Sequence, residues 1–204
     1  MRGALMVPNF HRSAAPFMVM GLAFVLAGCV SFGKDPPDTL FNLTPARVAA
    51  AGTGGTGTAA QAISVLEPQA SARIDVLRVP VQVDDASVAY LQDAQWVEKP
   101  ARLFARLLEE SIRAKGTRLV VDGSDAEYSA QTKLSGQLLD LGYDARSGSV
   151  VVRYNAVLQL PDGQIRTRLF ESTMPGIAAE AGAVRPALNA AANDVAGQVA
   201  DWVG

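Results

Sequence analysis

Apolar positions recur with a helical period in two stretches of the chain. Leu103, Phe104, Leu107, Leu108 and Ile112 form one stripe, and Pro100 stands where a first helical turn tolerates a residue without an N–H. Gly116 follows as a stop, and Glu109 and Arg113 sit i, i+4 on the wet side. The spacing therefore predicts a helix between Pro100 and Gly116. A second, Ala-rich helix is predicted over about residues 182–202. Val184, Leu188, Ala191, Val195, Val199 and Trp202 share one of its faces, with Trp202 closing the core.

Elsewhere the pattern is extended. From Tyr128 to Thr173 three β segments follow, roughly 128–142, 149–160 and 164–173, separated by the turn signals Ser147-Gly148 and Pro161-Asp162-Gly163. They predict an antiparallel meander. Upstream, Leu40-Phe41-Asn42-Leu43 reads as a short strand ending at Pro45, and Ala72 to Val83 as an extended segment in which Pro80 signals an edge or a bulge. Ser87 to Leu91 and Gln95 to Val97 are candidate short strands, and Arg118 to Asp122 a buried one. The stretch at 49–60 is low in complexity, with no periodic apolar face, and reads as a flexible Gly-rich loop. The sum is an α/β fold: a mixed sheet with an antiparallel meander and two main helices packed on it, in a single domain over 40–204.

The first residues follow other rules. Arg2 and Arg12 are the only charged side chains before an apolar run from Phe17 to Ala27, the pattern of a signal peptide and too short to span a bilayer comfortably. Leu26-Ala27-Gly28-Cys29 matches the lipobox of bacterial lipoproteins in full. That resemblance implies cleavage before Cys29, a diacylglycerol (palmitate-type chains) on its thiol and acylation of the new amine. Three acyl chains exceed what stable anchoring needs. Residues 1–28 are thus a lipoprotein signal peptide and 29–39 a lipidated polar tether. Val30 follows the lipidated position, not Asp, which by resemblance to enteric sorting implies the periplasmic face of the outer membrane.

Composition then narrows the chemistry. The chain has 204 residues, 49% hydrophobic and 19% charged, with 18 basic against 20 acidic side chains. A net charge of −2 gives no electrostatic footprint for nucleic acid. Its single His, His11, would leave with the signal, and its single Cys would carry lipid. No disulfide can close within the chain, and His-dependent triads and His-ligated metals are excluded from the mature protein.

Several motifs invite a chemical reading. Gly52-x-Gly54-x-x-Gly57, with Asp75 downstream, formally matches a dinucleotide fingerprint, but that site needs a strand entering the loop and a helix leaving it. Ser31-x-x-Lys34 matches the serine/lysine acyl-enzyme pattern, two residues from the lipidated position and far from any core. Asp122, Asp125 and Glu127 lack the spacing of a calcium loop and read as a solvated turn. Distant carboxylates could still form an acid/base pair, which the sequence does not name. Tyr90 and Trp96 have two readings, an exposed contact for a partner or core packing beside the first helix, the second favoured by how often Trp is buried. No catalytic residue, cofactor or metal is expected.

After the lipobox comes Leu40-Phe41-Asn42-Leu43-Thr44-Pro45, then Arg78-Val79-Pro80, Tyr90-Leu91, Trp96-Val97-Glu98 and Pro100-Ala101-Arg102-Leu103. This succession resembles the ABC-type transport auxiliary lipoproteins, the family of the paraquat-inducible lipoprotein. Phe41 stands in the place of that family's opening Tyr, and the Gly-rich stretch looks like a loop extension. The resemblance covers about residues 40–200. It implies a non-enzymatic auxiliary subunit of an ABC/MCE-type system that moves phospholipid or other hydrophobic molecules between inner and outer membranes. The implied partners are an MCE-domain protein, an ABC permease/ATPase complex and outer-membrane lipid through Cys29; homo-oligomerisation is left open. Two alternatives are a periplasmic lipid carrier with its own apolar cavity and, behind it, a carboxylate-based cell-wall hydrolase.

Overall fold

A computed structural model of the protein describes residues 39–121 and 130–204. The lipobox, Cys29, the tether before Thr39 and the acidic turn at Asp122, Asp125 and Glu127 lie outside the described residues. The elements run β1 (Ala62–Val65), β2 (Gln69–Ala70), β3 (Arg78–Gln82), β4 (Val88–Gln95), α1 (Pro100–Lys115), β5 (Leu119–Val121), β6 (Thr132–Asp144), β7 (Ser149–Gln159), β8 (Ile165–Pro175) and α2 (Ala181–Val203). No helix among the described residues is long and apolar enough to cross a membrane.

β6 is the spine of one mixed, eight-stranded sheet. Along one side it pairs antiparallel with β7, from Lys133 opposite Gln159 to Asp144 opposite Ser149. Along the other it meets β1, β2 and β3 in succession, all parallel to it. β5 flanks β1, β4 flanks β3, and β8 flanks β7 as the outer strand of the meander.

A bulge lets so long a strand keep one face dry. Strict alternation would turn Leu141 and Tyr143 away from the side that buries Leu134 and Leu138, but the register shifts between Leu138 and Asp140, and all four are buried. Gly136 is a second adaptation. At φ +151° it lies so close to β7 that a Cβ there would stand 2.1 Å from the Asn155 carbonyl oxygen.

Both helices cover the same face. Phe104 of α1 meets Tyr154 of β7 edge-on at 5.2 Å, and Trp202 of α2 meets Phe170 of β8 at 5.6 Å. Tyr154 and Phe170 are register partners whose side chains share that face. α1 begins at Pro100 and ends at Gly116, whose φ of +75° supplies the left-handed cap and whose amide donates to the Arg113 carbonyl at 3.1 Å. Arg113 also donates to Glu110 at i, i+3. Val184, Leu188, Ala191, Val195 and Val199 are buried, while Trp202 is half-buried and packs against the edge of the core. Each fully buried Leu, Val or Phe contributes about 1.5–3 kcal/mol over its exposed state.

Several upstream expectations need correction. Leu40–Leu43 forms no strand; Phe41 makes one isolated parallel bridge to Trp96. Only Arg78–Gln82 of the 72–83 segment is a strand, because Ser71–Leu77 turns through bonds from Ile74 and Asp75 to the Ser71 carbonyl. Pro80 marks a bulge and not an edge, since β3 lies between β4 and β6 and its register slips between Arg78 and Pro80. Of the two short strands expected at 87–91 and 95–97, the first joins Gln95 in one strand, β4, in which Asp93 takes φ +53°, while Trp96 makes only the bridge to Phe41 and Val97 lies in no strand. β5 is half-buried along its length, not buried.

Candidate functional site

Two surfaces stand out from the packed core: the place where the N-terminal segment joins the domain, and the bare face of the meander. The first is stitched by backbone. Phe41 donates to the Gln95 carbonyl at 2.7 Å and accepts from the Val97 amide at 2.9 Å, while its ring meets Trp96 edge-on at 5.5 Å. Asn189 and Asn193, one turn apart on α2, then grip the chain beyond it. The Thr44 amide donates to Asn189 Oδ1 at 2.8 Å and the Ala46 amide to Asn193 Oδ1 at 2.6 Å. Asn193 Nδ2 returns a bond to the Thr44 carbonyl at 2.9 Å. Arg185 donates to the Thr39 hydroxyl at 2.6 Å. The strap from Thr39 to Ala46 is thus clamped across the end of β4 and along α2.

Trp96 is 1% exposed and belongs to the core, with no hydrogen-bond partner for its Nε1 among the described residues. Of its two sequence readings, the structure places it in the second. Tyr90 is half-buried on β4, with the Arg78 guanidinium 3.8 Å above its ring. The two aromatic residues do not form one surface: Trp96 faces in against Phe41, and Tyr90 lies under an exposed arginine.

The bare sheet face carries a charged row that register alone creates. Asp140, Arg153 and Glu171 are direct cross-strand partners on β6, β7 and β8. Arg153 donates to Glu171 Oε2 at 2.7 Å and to Asp140 Oδ2 at 3.0 Å, and Arg73 pairs with the other Asp140 oxygen while donating to the Leu139 carbonyl at 2.8 Å. The Arg153 hydrogen bond holds the Glu171 carboxyl below the usual carboxylate range. A hollow of about 330 Å³ adjoins this row, lined also by Gln82, Asp85, Asp144 and Arg146. Arg146 donates to Asp144 at 2.9 Å and also pairs with Asp85. Both carboxylates of the row are tied to an arginine, and at Glu171 that hydrogen bond favours the ionised form. A general acid instead needs a carboxyl kept protonated near neutral pH.

The Gly-rich stretch overhangs β5, and a wider hollow of about 760 Å³ lies between them, bordered by Arg113, Thr117 and Arg118. The loop leads through a turn at Thr58–Gln61 into β1. No helix opens from it, so no ring of helix amides faces a pyrophosphate there. Among the described residues no cluster of three or more His, Cys, Asp or Glu could hold a metal ion.

A family model described as ABC-type transport auxiliary lipoprotein component matches residues 41–200. Among solved structures, a protein from Xanthomonas campestris of the DUF330 family superposes with a TM-score of 0.61 at 19% identity, covering 82% of this chain and 92% of its own. An uncharacterised protein superposes equally well, TM-score 0.61 at 13% identity, covering 81% and 100%. The PelC dodecamer from Paraburkholderia phytofirmans reaches 0.39 at 15% identity, covering 72% and 91%. No curated protein matches the chain.

Proposed function

The chain belongs to the ABC-type transport auxiliary lipoproteins, and from that premise we propose that it is a non-catalytic docking subunit of an ABC/MCE-type system. In this reading Cys29 carries the lipid that holds it on the periplasmic face of the outer membrane. Its partners are an MCE-domain protein and the ABC permease and ATPase, and the cargo is phospholipid or another hydrophobic molecule. The observation that carries the reading is the family match itself, which begins at Phe41, where the strap is first stitched to the sheet, and runs to residue 200 of α2.

The physical chemistry supports docking over the alternatives. The core is closed by buried side chains from Phe41 to Val203, and the hollows described above are lined mostly by charged and polar side chains and glycines, with few apolar ones. A carrier needs an apolar cavity instead. The charged row binds its carboxylates to arginines, an arrangement suited to fixing strands. Ten residues from Cys29 to Thr39 reach about 35 Å at most, so lipid on Cys29 would confine the domain to a thin layer and raise its effective concentration for a partner spanning the envelope.

Cell fractionation and crosslinking test this. Full-length protein should float with the outer membrane and carry the added mass of acyl chains, and Cys29→Ala should accumulate as unlipidated precursor. Crosslinking in cells should recover MCE or ABC components with the wild type. A form lacking residues 1–29 should restore the barrier of a deletion strain only in part. Complete rescue by that form would favour a free carrier, and absence of any transporter component from the crosslinked material would remove the docking reading.

A further inference from the structure

The first half of β8 is open along its outer edge and exposed on both faces. Its outer edge pairs with no strand among the described residues, because β8 is laddered to β7 alone. Ile165, Arg166, Thr167, Arg168 and Leu169 are all exposed, on both faces of the sheet, before alternation resumes at buried Phe170. Ile165 is 64% and Leu169 55% exposed, and both project from the bare face. Arg166 and Arg168 lie on the helix side, over the rings of Trp202 at 5.5 Å and Phe170 at 5.0 Å.

Natural sheets usually guard such an edge with a bulge, a proline, a short strand or an inward-pointing charge. Here the register with β7 runs unbroken from Ile165 to Pro175, and the only proline is the last residue. The arginines rest on aromatic faces and have no ion pair with a described carboxylate, whereas Arg73, Arg102, Arg106, Arg113, Arg146 and Arg153 all have one. A protein with net charge −2 thus presents a locally basic edge with two apolar side chains beside it.

We propose that Ile165–Leu169 is a β-augmentation edge for an extended segment of a partner protein in which acidic and apolar residues alternate. Added beside β8, such a segment would extend the backbone ladder. Its period of two would place carboxylates on the side of Arg166 and Arg168 and apolar side chains on the side of Ile165 and Leu169. The charge pattern disfavours self-pairing of this edge: antiparallel pairing of β8 with the same strand of a second copy about Thr167 sets Arg166 opposite Arg168. The proposal rests on the docking reading above and adds the place and the chemistry of contact.

Two experiments test it, both on the full-length lipidated protein. In detergent, a short synthetic peptide alternating glutamate with valine should bind and perturb backbone amide resonances of residues 165–169. A lysine-for-glutamate version should not. Replacing Arg166 and Arg168 together by glutamate should weaken the binding roughly tenfold or more, and Leu169→Ser, which leaves both charges, should weaken it less. Both variants are first checked for wild-type melting temperature; if the double variant unfolds, Leu169→Ser and the lysine peptide still decide. Equal binding of both peptides, or amide shifts elsewhere, would overturn the proposal. In cells, a photo-crosslinker at Thr167 should capture a transporter component within an acidic, alternating segment, and one at Tyr90 serves as reference. Capture at Tyr90 alone would sink the edge and leave docking standing; capture at neither would sink both. Capture of a second copy of this chain at Thr167 would overturn the choice of occupant.

Discussion

Replacing Asn193 by alanine should loosen the strap without unfolding the domain. The side chain accepts from the Ala46 amide and donates to the Thr44 carbonyl, and the substitution removes these two bonds between α2 and the strap while leaving those of Asn189 and Arg185. A hydrogen bond contributes about 0.5–1.5 kcal/mol net, and the lower end applies here because water can reach the freed groups. The loss is therefore about 1–2 kcal/mol, offset by roughly 0.5 kcal/mol from the better helix propensity of alanine. Global stability should fall by about 1 kcal/mol. Local opening should respond more sharply, since the strap alone bears the whole loss. Amide exchange at Ala46 should quicken by about tenfold, while the Thr44 amide, still bonded to Asn189, and the Phe41 amide, bonded to Gln95, keep their protection. Asp194→Ala, one residue along on the exposed side of α2, is the control and should leave all three amides unchanged. Hydrogen exchange by NMR reads all three amides. Unchanged exchange at Ala46, or loss of protection throughout the sheet, would refute the reasoning.

Gly136→Ala should cost about 3 kcal/mol or more in denaturant titrations, because its Cβ would press into the Asn155 carbonyl and its φ of +151° is hostile to other residues. Deleting part of the 52–58 loop should change stability by less than about 1 kcal/mol, and any larger loss of melting temperature would give the loop a structural role. Acidification should destabilise the domain. Hydrogen bonds from Arg106, Arg146 and Arg153 depress the carboxyls of Glu98, Asp144 and Glu171 in the folded state, so their stabilisation is present above the unfolded values near about 4 and is lost as pH falls through the folded ones. Glu171→Gln should flatten that acid limb of a thermal melt. Burial pushes the Tyr154 phenol up, so its contribution is intact below about pH 10 and lost as pH rises beyond; Tyr154→Phe should abolish that alkaline decline.

Legibility along the chain followed how much each element depends on distant partners. α1 and α2 carry their own periodicity, and Pro100 and Gly116 stand at the ends of α1. The meander was readable from its turns, since β6, β7 and β8 are joined by short loops. β1 escaped notice because all four residues of Ala-Ile-Ser-Val are buried, leaving no alternation beside a Gly-rich stretch. β2 exists only because β6 passes beside Gln69 and Ala70. The charged row was invisible for the same reason. Asp140, Arg153 and Glu171 sit on three strands, and only the register, displaced by the bulge after Leu138, brings them opposite one another. Asn189 and Asn193 did leave a signal, two amides one turn apart beside the apolar face of a helix, which no local role explains. The basic half of β8 was equally visible as Ile-Arg-Thr-Arg-Leu, but its exposure depends on where α2 ends.

The central position of β6 has a consequence for how the chain comes into being. β1, β2 and β3 all lean on residues 132–144, and a ribosome or translocation channel delivers those residues last among the four. Until then Ile63, Val65, Val79 and Val81, all destined for the interior, have no spine to close against. β6, β7, β8 and α2 follow one another directly and can assemble as soon as they emerge. Assembly of the first half is therefore delayed until the second begins. Throughout that interval the early strands are a nascent, sticky segment, and arrested chains ending before Thr132 should depend on holding chaperones far more than chains ending after Gln159.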